Sequence, residues 1–345
     1  MPVLVTGHNG YIGSVMVPEL LAAGHEVLGL DTFFFEDCTL GNDRDGTPAV
    51  RKDIRDVRAG DLQGVDAIIH LAALCNDPLG DLHPGWTHEI NHRASIQLAR
   101  LARDAGVRRF LYASSCSMYG AAGSDDLLNE QAPLRPLTVY ATSKVRTEED
   151  LAALADSSFS PVFMRNATAY GLSPRLRADV VLNNLVCWAH TTGRIRITSD
   201  GTPWRPIVHV QDIARAFATA LVAPREVIHN QAFNVGVTSE NYQVRELAEI
   251  VRGTVAGCTL EYATDAGPDP RSYRVDFGKL ARTFPAFKPR WNASFGAKDL
   301  YAALQEANVT IEEFQGRKYI RLAQIKHLLG SDRLDSTLRW VRRAQ

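Results

Sequence analysis

The chain has 345 residues, 45% of them hydrophobic, with 38 lysines and arginines against 39 aspartates and glutamates. That is apolar material for one large core or two modest ones, and a net charge of -1 carries none of the excess that nucleic-acid or membrane-surface binding draws on. With no apolar run near the ~18 residues of a membrane span, no secretion signal in "MPVLVTG" and five cysteines outside any disulfide or zinc spacing, the expectation is a soluble, cytoplasmic protein with reduced thiols, no metal and a small-molecule partner.

In chain order, "VLVTG" predicts a first strand and "GSVMVPELLAAG" a helix; "EVLGLD", "DAIIHLAA" and "RFLYASS" predict further strands, and "NHRASIQLARLARDAG" a long helix. Near-continuous apolar runs such as "AIIHLAA" fit strands covered on both faces. The alternation predicts an α/β fold with a doubly wound parallel sheet over residues 1–171. A smaller mixed region takes 172–205 and 236–345, while 206–235 returns to the first. Within the second region "RADVVLNNLVCWAHTTG" reads as a helix, "RIRIT" as a short strand and "SDGTPWRP" as a loop. The basic tail from Gly316 reads as a solvated surface helix, with a subunit or substrate contact as the alternative.

Gly7, Gly10 and Gly13 in "VLVTGHNGYIG" sit between the first strand and its helix. In that context glycines permit a tight turn, close approach of a pyrophosphate and close helix packing. Asp31 ends the second strand, where an acid accepts hydrogen bonds from the adenosine ribose and repels a 2'-phosphate, so NAD is favoured over NADP. Asp53 and Ile54 in "KDIRD" are candidates to hold the adenine. Farther on, "VYATSKVRTEEDL" puts Tyr140 and Lys144 on one helix face. A tyrosine near pKa ~10 is a poor base at neutral pH, and a neighbouring ammonium together with the positive nicotinamide would lower it enough to exchange a hydroxyl proton.

The glycine loop, Asp31, "YASS" in "YASSCSMYG" and the Tyr-x-x-x-Lys pair, in this order, resemble the extended short-chain dehydrogenase/reductases, and among them the nucleotide-sugar epimerases and dehydratases. The resemblance covers most of the chain to about residue 280. It implies that Ser115 hydrogen-bonds the reacting sugar hydroxyl, and that Asn9, Tyr11, Ile12, Leu71, Ala72, Ala73, Asn91 and Ser114 join Tyr140 and Lys144 around NAD. It further implies that Thr168, Asn184 and Arg205 meet a nucleotide-diphosphate sugar, and that paired helices form a homodimer. The family's second diphosphate arginine is absent, since Ala266 stands there, and Arg271 or Arg274 is its replacement.

Dehydratases of the family carry Asp-Glu directly after the catalytic Ser or Thr; here Cys116 and Ser117 stand there, and the glutamate of decarboxylating relatives is missing too. Cys75 and Cys116 look like the cysteine pair of plant apiose/xylose synthases, which makes a thiol acid/base a candidate. The expectation is a 4-epimerase working through a transient 4-keto sugar. Its rivals are a 4-keto-sugar reductase or dehydrogenase, the apiose/xylose-synthase-like reaction, and a non-catalytic NAD sensor.

Overall fold

The structure, a computed structural model, describes residues 1–41, 46–75, 77–121, 127–263 and 271–341. Its centre is a seven-stranded sheet built from β1 (Pro2–Thr6), β2 (Glu26–Asp31), β3 (Ala49–Arg51), β4 (Ala67–His70), β5 (Arg109–Ser115), β6 (Ser160–Asn166) and β7 (Gln231–Val235). The spatial order is β7-β6-β5-β4-β1-β2-β3 and every pairing is parallel. The direction of winding reverses between β1 and β4, which opens a crevice at their carboxyl ends.

Side-chain alternation explains why these strands read as continuous apolar runs. Val3 and Val5 of β1 enter the core on one face of the sheet and Leu4 the core on the other; Leu111 and Phe110 of β5 divide the same way. Both faces are therefore covered, one partly by helix Val210–Val222. That helix precedes β7, which completes the sheet from a point in the chain beyond residue 205.

A third core gathers helices Val181–Thr192, Val244–Thr254 and Ala293–Glu306 beside the crevice. The first of these starts later than the run from Arg177 suggests, because Val180 is still extended; Gly193 ends it at φ 68°.

The tail behaves differently from the expectation. Helix Arg321–Gly330 and the residues after it belong to the dinucleotide half, because Ile325, Leu328, Leu334 and Leu338 share a core with Leu4, Leu30 and Ile54. Arg321 and Gln324 are buried on it while Lys326 and His327 are exposed, so the helix is solvated on one face only. Among the described residues no helix is long and apolar enough to cross a membrane.

Candidate active site

The crevice is a cavity of about 660 Å³ whose wall starts at the glycine loop. Gly7 has φ 74°, and a Cβ on it would lie 2.7 Å from the amide nitrogen of Ala72, so the loop after β4 closes against it only because it is glycine. A Cβ on Gly13 would lie 2.2 Å from the Gly7 carbonyl oxygen, which sets how tightly helix α1 (Gly13–Ala22) meets the loop. Gly10, Tyr11 and Ile12 line the cavity at the amino end of that helix, with Leu71, Ala72 and Ala73 opposite. The Tyr11 hydroxyl donates to the Gly171 carbonyl at 2.8 Å, tying the loop to the substrate side.

Asp31 faces the same cavity. Its carboxylate accepts the amides of Asn9 at 3.1 Å and Phe33 at 2.8 Å, and burial holds its pKa above the ordinary carboxylate value. A small-residue cradle at a helix amino end, with an acid one strand away, fits a dinucleotide with free ribose hydroxyls. Asp53 and Ile54 also line this end, although Asp53 caps a 3₁₀ turn (Ile54–Asp56) and is gripped by Arg55 at 2.7 Å.

The reacting end is built by helix Val139–Ala152, whose first turn is capped by Thr138 Oγ1 accepting the Ala141 amide at 3.1 Å. That cap places Tyr140 in the first turn and Lys144 one turn on, both facing the cavity with Ser114 and Ser115. Lys144 is 3% exposed; its Nζ donates to the Ala113 carbonyl at 2.6 Å and lies 5.7 Å from the centre of the Tyr140 ring. Burial lowers the Lys144 pKa to about 8. Burial also pushes the Tyr140 phenol well above its ordinary value and Cys75 adds to the rise, while the Ser115 hydroxyl and the Arg177 guanidinium work in the other direction. The protein surroundings alone therefore hold Tyr140 protonated, and the expected lowering has to come from NAD and substrate.

Four sequence candidates, Cys116, Asn91, Arg274 and Asn9, lie outside the cavity wall. Cys116 is fully buried among the β5 and β6 side chains, its thiol donates to the Arg165 carbonyl at 3.1 Å, and burial drives its pKa far up. A thiol pair with Cys75 is not assembled, because the 3₁₀ turn Cys116–Tyr119, capped by Ser115, carries residue 116 into the core. Asn91 exchanges two hydrogen bonds with Leu74, at 2.8 and 2.9 Å, and so braces the loop after β4 from behind. Arg274 stacks its guanidinium 4.8 Å from the Trp204 ring centre. Asn9 acts through its backbone and through Oδ1, which accepts from Arg175 at 3.1 Å.

On the substrate side Thr168, Asn184, Arg205 and Arg271 line the cavity. The Asn184 amide donates to the Ala178 carbonyl at 2.9 Å, Arg205 donates to the carbonyls of Trp204 and Arg271, and Arg271 pairs with Asp77. Ala266 lies outside the described residues. Sequence reasoning missed Arg177, whose Nε meets Asp179 at 2.7 Å and whose Nη1 lies 3.5 Å from the Cys75 sulfur. It also missed Tyr273, Arg196 and Arg321, all on the cavity wall. Tyr273 stands two residues from Arg271 and was within reach of pattern reading, whereas nothing local to Arg321 points to a cleft.

Known proteins share this sequence pattern and fold. The profile of the NAD dependent epimerase/dehydratase family matches residues 3–236. A UDP-glucose 4-epimerase of Mycolicibacterium smegmatis is 33% identical over 269 residues, which cover 74% of this chain and 83% of that protein. The chain belongs to the NAD-dependent epimerase/dehydratase family. NAD is its cofactor, and solved structures of NAD-bound proteins share its fold, a Thermus thermophilus UDP-glucose 4-epimerase among them. MoeE5 in complex with UDP-glucuronic acid and NAD is similar at TM-score 0.76 and 26% identity, covering 89% of this chain and 100% of that one. DesIV, a dTDP-glucose 4,6-dehydratase from Streptomyces venezuelae with NAD bound, is similar at TM-score 0.75 and 26% identity, covering 89% and 97%. The chain is an NAD-dependent epimerase or oxidoreductase, and the fold is common to epimerases and dehydratases.

Proposed function

We propose that the protein is a 4-epimerase of a nucleotide-diphosphate sugar. The observation that carries this reading is the chemistry of the reacting end. Tyr140 faces the cleft beside Ser115 and Lys144, Cys75 lines it without the Cys116 thiol, and the dehydratase acid/base pair is replaced by a core thiol, Cys116, and a serine, Ser117. The carboxylates nearest that end are committed elsewhere, Asp77 to Arg271 and Asp179 to Arg177. Similarity to UDP-glucose 4-epimerases, and to proteins solved with UDP-sugars, supports the substrate class.

Bound NAD supplies an acceptor that takes a hydride from the sugar and returns it within the same turnover. Ser115 orients the C4 oxygen, Tyr140 takes its proton as the bond order rises, and the same phenol gives the proton back when the 4-keto sugar is reduced on its other face. Lys144 stabilises the phenolate through space. Arg205, Arg271 and Asn184 hold the diphosphate, a task suited to guanidinium forks, so that the sugar alone changes orientation. Thr168 borders the sugar. Tyr140→Phe removes the proton carrier without removing the ring, and turnover of UDP-glucose or UDP-galactose should fall by at least about 10²–10⁴-fold with NAD content unchanged. Full activity in that variant would sink the assignment.

A further inference from the structure

The wall of the cofactor end includes a residue from the far end of the chain. After β2 the backbone runs through Thr32, Phe34 and Phe35, all lining the cavity beside Asp31. The C-terminal segment grips this loop along its length. Trp340 Nε1 donates to the Thr32 carbonyl at 2.6 Å and its ring packs 5.6 Å from that of Phe34, while the Gln324 amide donates to the Phe34 carbonyl at 3.0 Å. Beyond the loop, Arg55 donates to the carbonyls of Thr337 and Leu338 at 2.8 and 3.1 Å, and Trp86 to that of Ser336 at 3.0 Å.

Arg321 is the one side chain of this segment that reaches the cavity. Its guanidinium lies 4.4 Å from the centre of the Phe35 ring and Nη2 donates to the Arg175 carbonyl at 2.6 Å, yet the side chain is 2% exposed and Nη1 is buried without a hydrogen-bond acceptor. A buried, always-charged guanidinium with an idle donor is costly unless an anion completes it. Nearby carboxylates are engaged by other groups: Asp179 by Arg177, and Asp31 by the two backbone amides. Arg177 is itself close enough to oppose the charge on Arg321. Two guanidiniums on one cavity wall, with Asp179 paired to Arg177 and also facing Arg321, suit a dianion such as a diphosphate.

We propose that Arg321 is a ligand of the cofactor diphosphate, and that residues 317–340 are a built-in lock that keeps the dinucleotide from exchanging. Both the cofactor and the nucleotide sugar carry a diphosphate. The cofactor is favoured because Arg321 rests on the loop that leaves Asp31, and the other clamps of the segment, from Gln324 and Trp340, hold that same loop. An enzyme that returns its hydride in each cycle gains from a cofactor that stays, so the lock is consistent with the epimerase reading but does not depend on it.

The test is made on the full-length protein as purified. NAD is released by denaturation and quantified per chain, and exchange of bound NAD against excess isotopically labelled NAD is followed in time, with no turnover needed. Wild type should hold NAD through purification and exchange it slowly. Arg321→Met should exchange at least tenfold faster or be purified largely empty, Arg321→Lys should fall between, and Trp340→Ala, which leaves the cavity wall intact, should also exchange faster. Circular dichroism checks folding; if Arg321→Met does not fold, the lysine variant and Trp340→Ala decide, and wild-type exchange in both overturns the proposal. Unchanged exchange with a raised KM for the nucleotide sugar overturns it as well, by moving the charge to the substrate diphosphate. A wild-type protein that exchanges NAD within seconds overturns the lock whatever reaction it catalyses, whereas failure of the epimerase reading alone shows in Tyr140→Phe.

Discussion

Lys144 carries an electrostatic conflict that its neighbours resolve only in part. Burial depresses its ammonium to about 8, yet its proposed role requires the charge, because Tyr140 is raised by burial and depends on nearby cations to ionise. Lys144→Met should therefore lower kcat by about 10²-fold or more and move the acid limb of the kcat profile to higher pH, since the phenol then ionises without its cation. A profile of unchanged shape would assign Lys144 to structure alone. Cys116→Ala should leave turnover within about twofold of wild type and cost on the order of 1 kcal/mol in a melting experiment, the expected price of a small core deletion. The shared placement of Ser115, Tyr140 and Lys144 on one cavity wall was legible because local motifs set it. Cys116 was misread for the opposite reason: whether it faces the cleft or the core is decided by a turn capped through Ser115, which composition does not reveal.

The junction between β1 and helix α1 is vulnerable to a single change. Alanine at position 13 would bring its Cβ within 2.2 Å of the Gly7 carbonyl and 2.5 Å of the His8 carbonyl, and both obstacles are backbone atoms that cannot swing aside. At Gly24, where φ is 78°, an added Cβ meets nothing within 4 Å and only the backbone conformation resists. Gly13→Ala should then lose most of its bound NAD along with about 1–3 kcal/mol of stability, while Gly24→Ala should lose about 1 kcal/mol and keep its NAD. Measuring melting and NAD per chain on the two variants separates cradle geometry from general destabilisation, and equal NAD loss in both would refute the distinction. The strands and helices around this junction were readable from alternation alone. The long helix predicted from Asn91 was read less well: His88–Ala94 is wound as π-helix before α-helix Ser95–Asp104 begins, and Asn91 points inward to brace Leu74. Nor did amphipathicity tell which body the C-terminal helix would join, since its partners, Phe34 and Phe35 among them, lie nearly 300 residues earlier in the chain.

Across the whole molecule, acid sensitivity should come from two neutral imidazoles, one on each side of the crevice. His70 is fully enclosed between Thr6 at 2.6 Å and Ser95 at 2.8 Å, joining β1, β4 and the following helix. His209 is stacked 4.0 Å from Trp291 and joins the strand Trp204–His209 to the substrate side. Burial lowers both to about 3. An unfolded histidine takes up a proton near pH 6.5, whereas these two remain neutral in the folded chain until about pH 3, so between those limits the unfolded state holds more protons. Their contribution is intact above about pH 6.5 and is lost as pH falls toward 3, at about 1.4 kcal/mol per pH unit for each histidine. Because one imidazole belongs to each half, both halves should weaken together and the protein should melt in one transition whose midpoint drops steadily below pH 6.5. His70→Asn, which keeps a hydrogen-bonding group but cannot titrate, should make that drop shallower by about one proton's worth. Melting curves from pH 7 to 4.5 on the two proteins test this, and parallel midpoints would mean that His70 is not the titrating group.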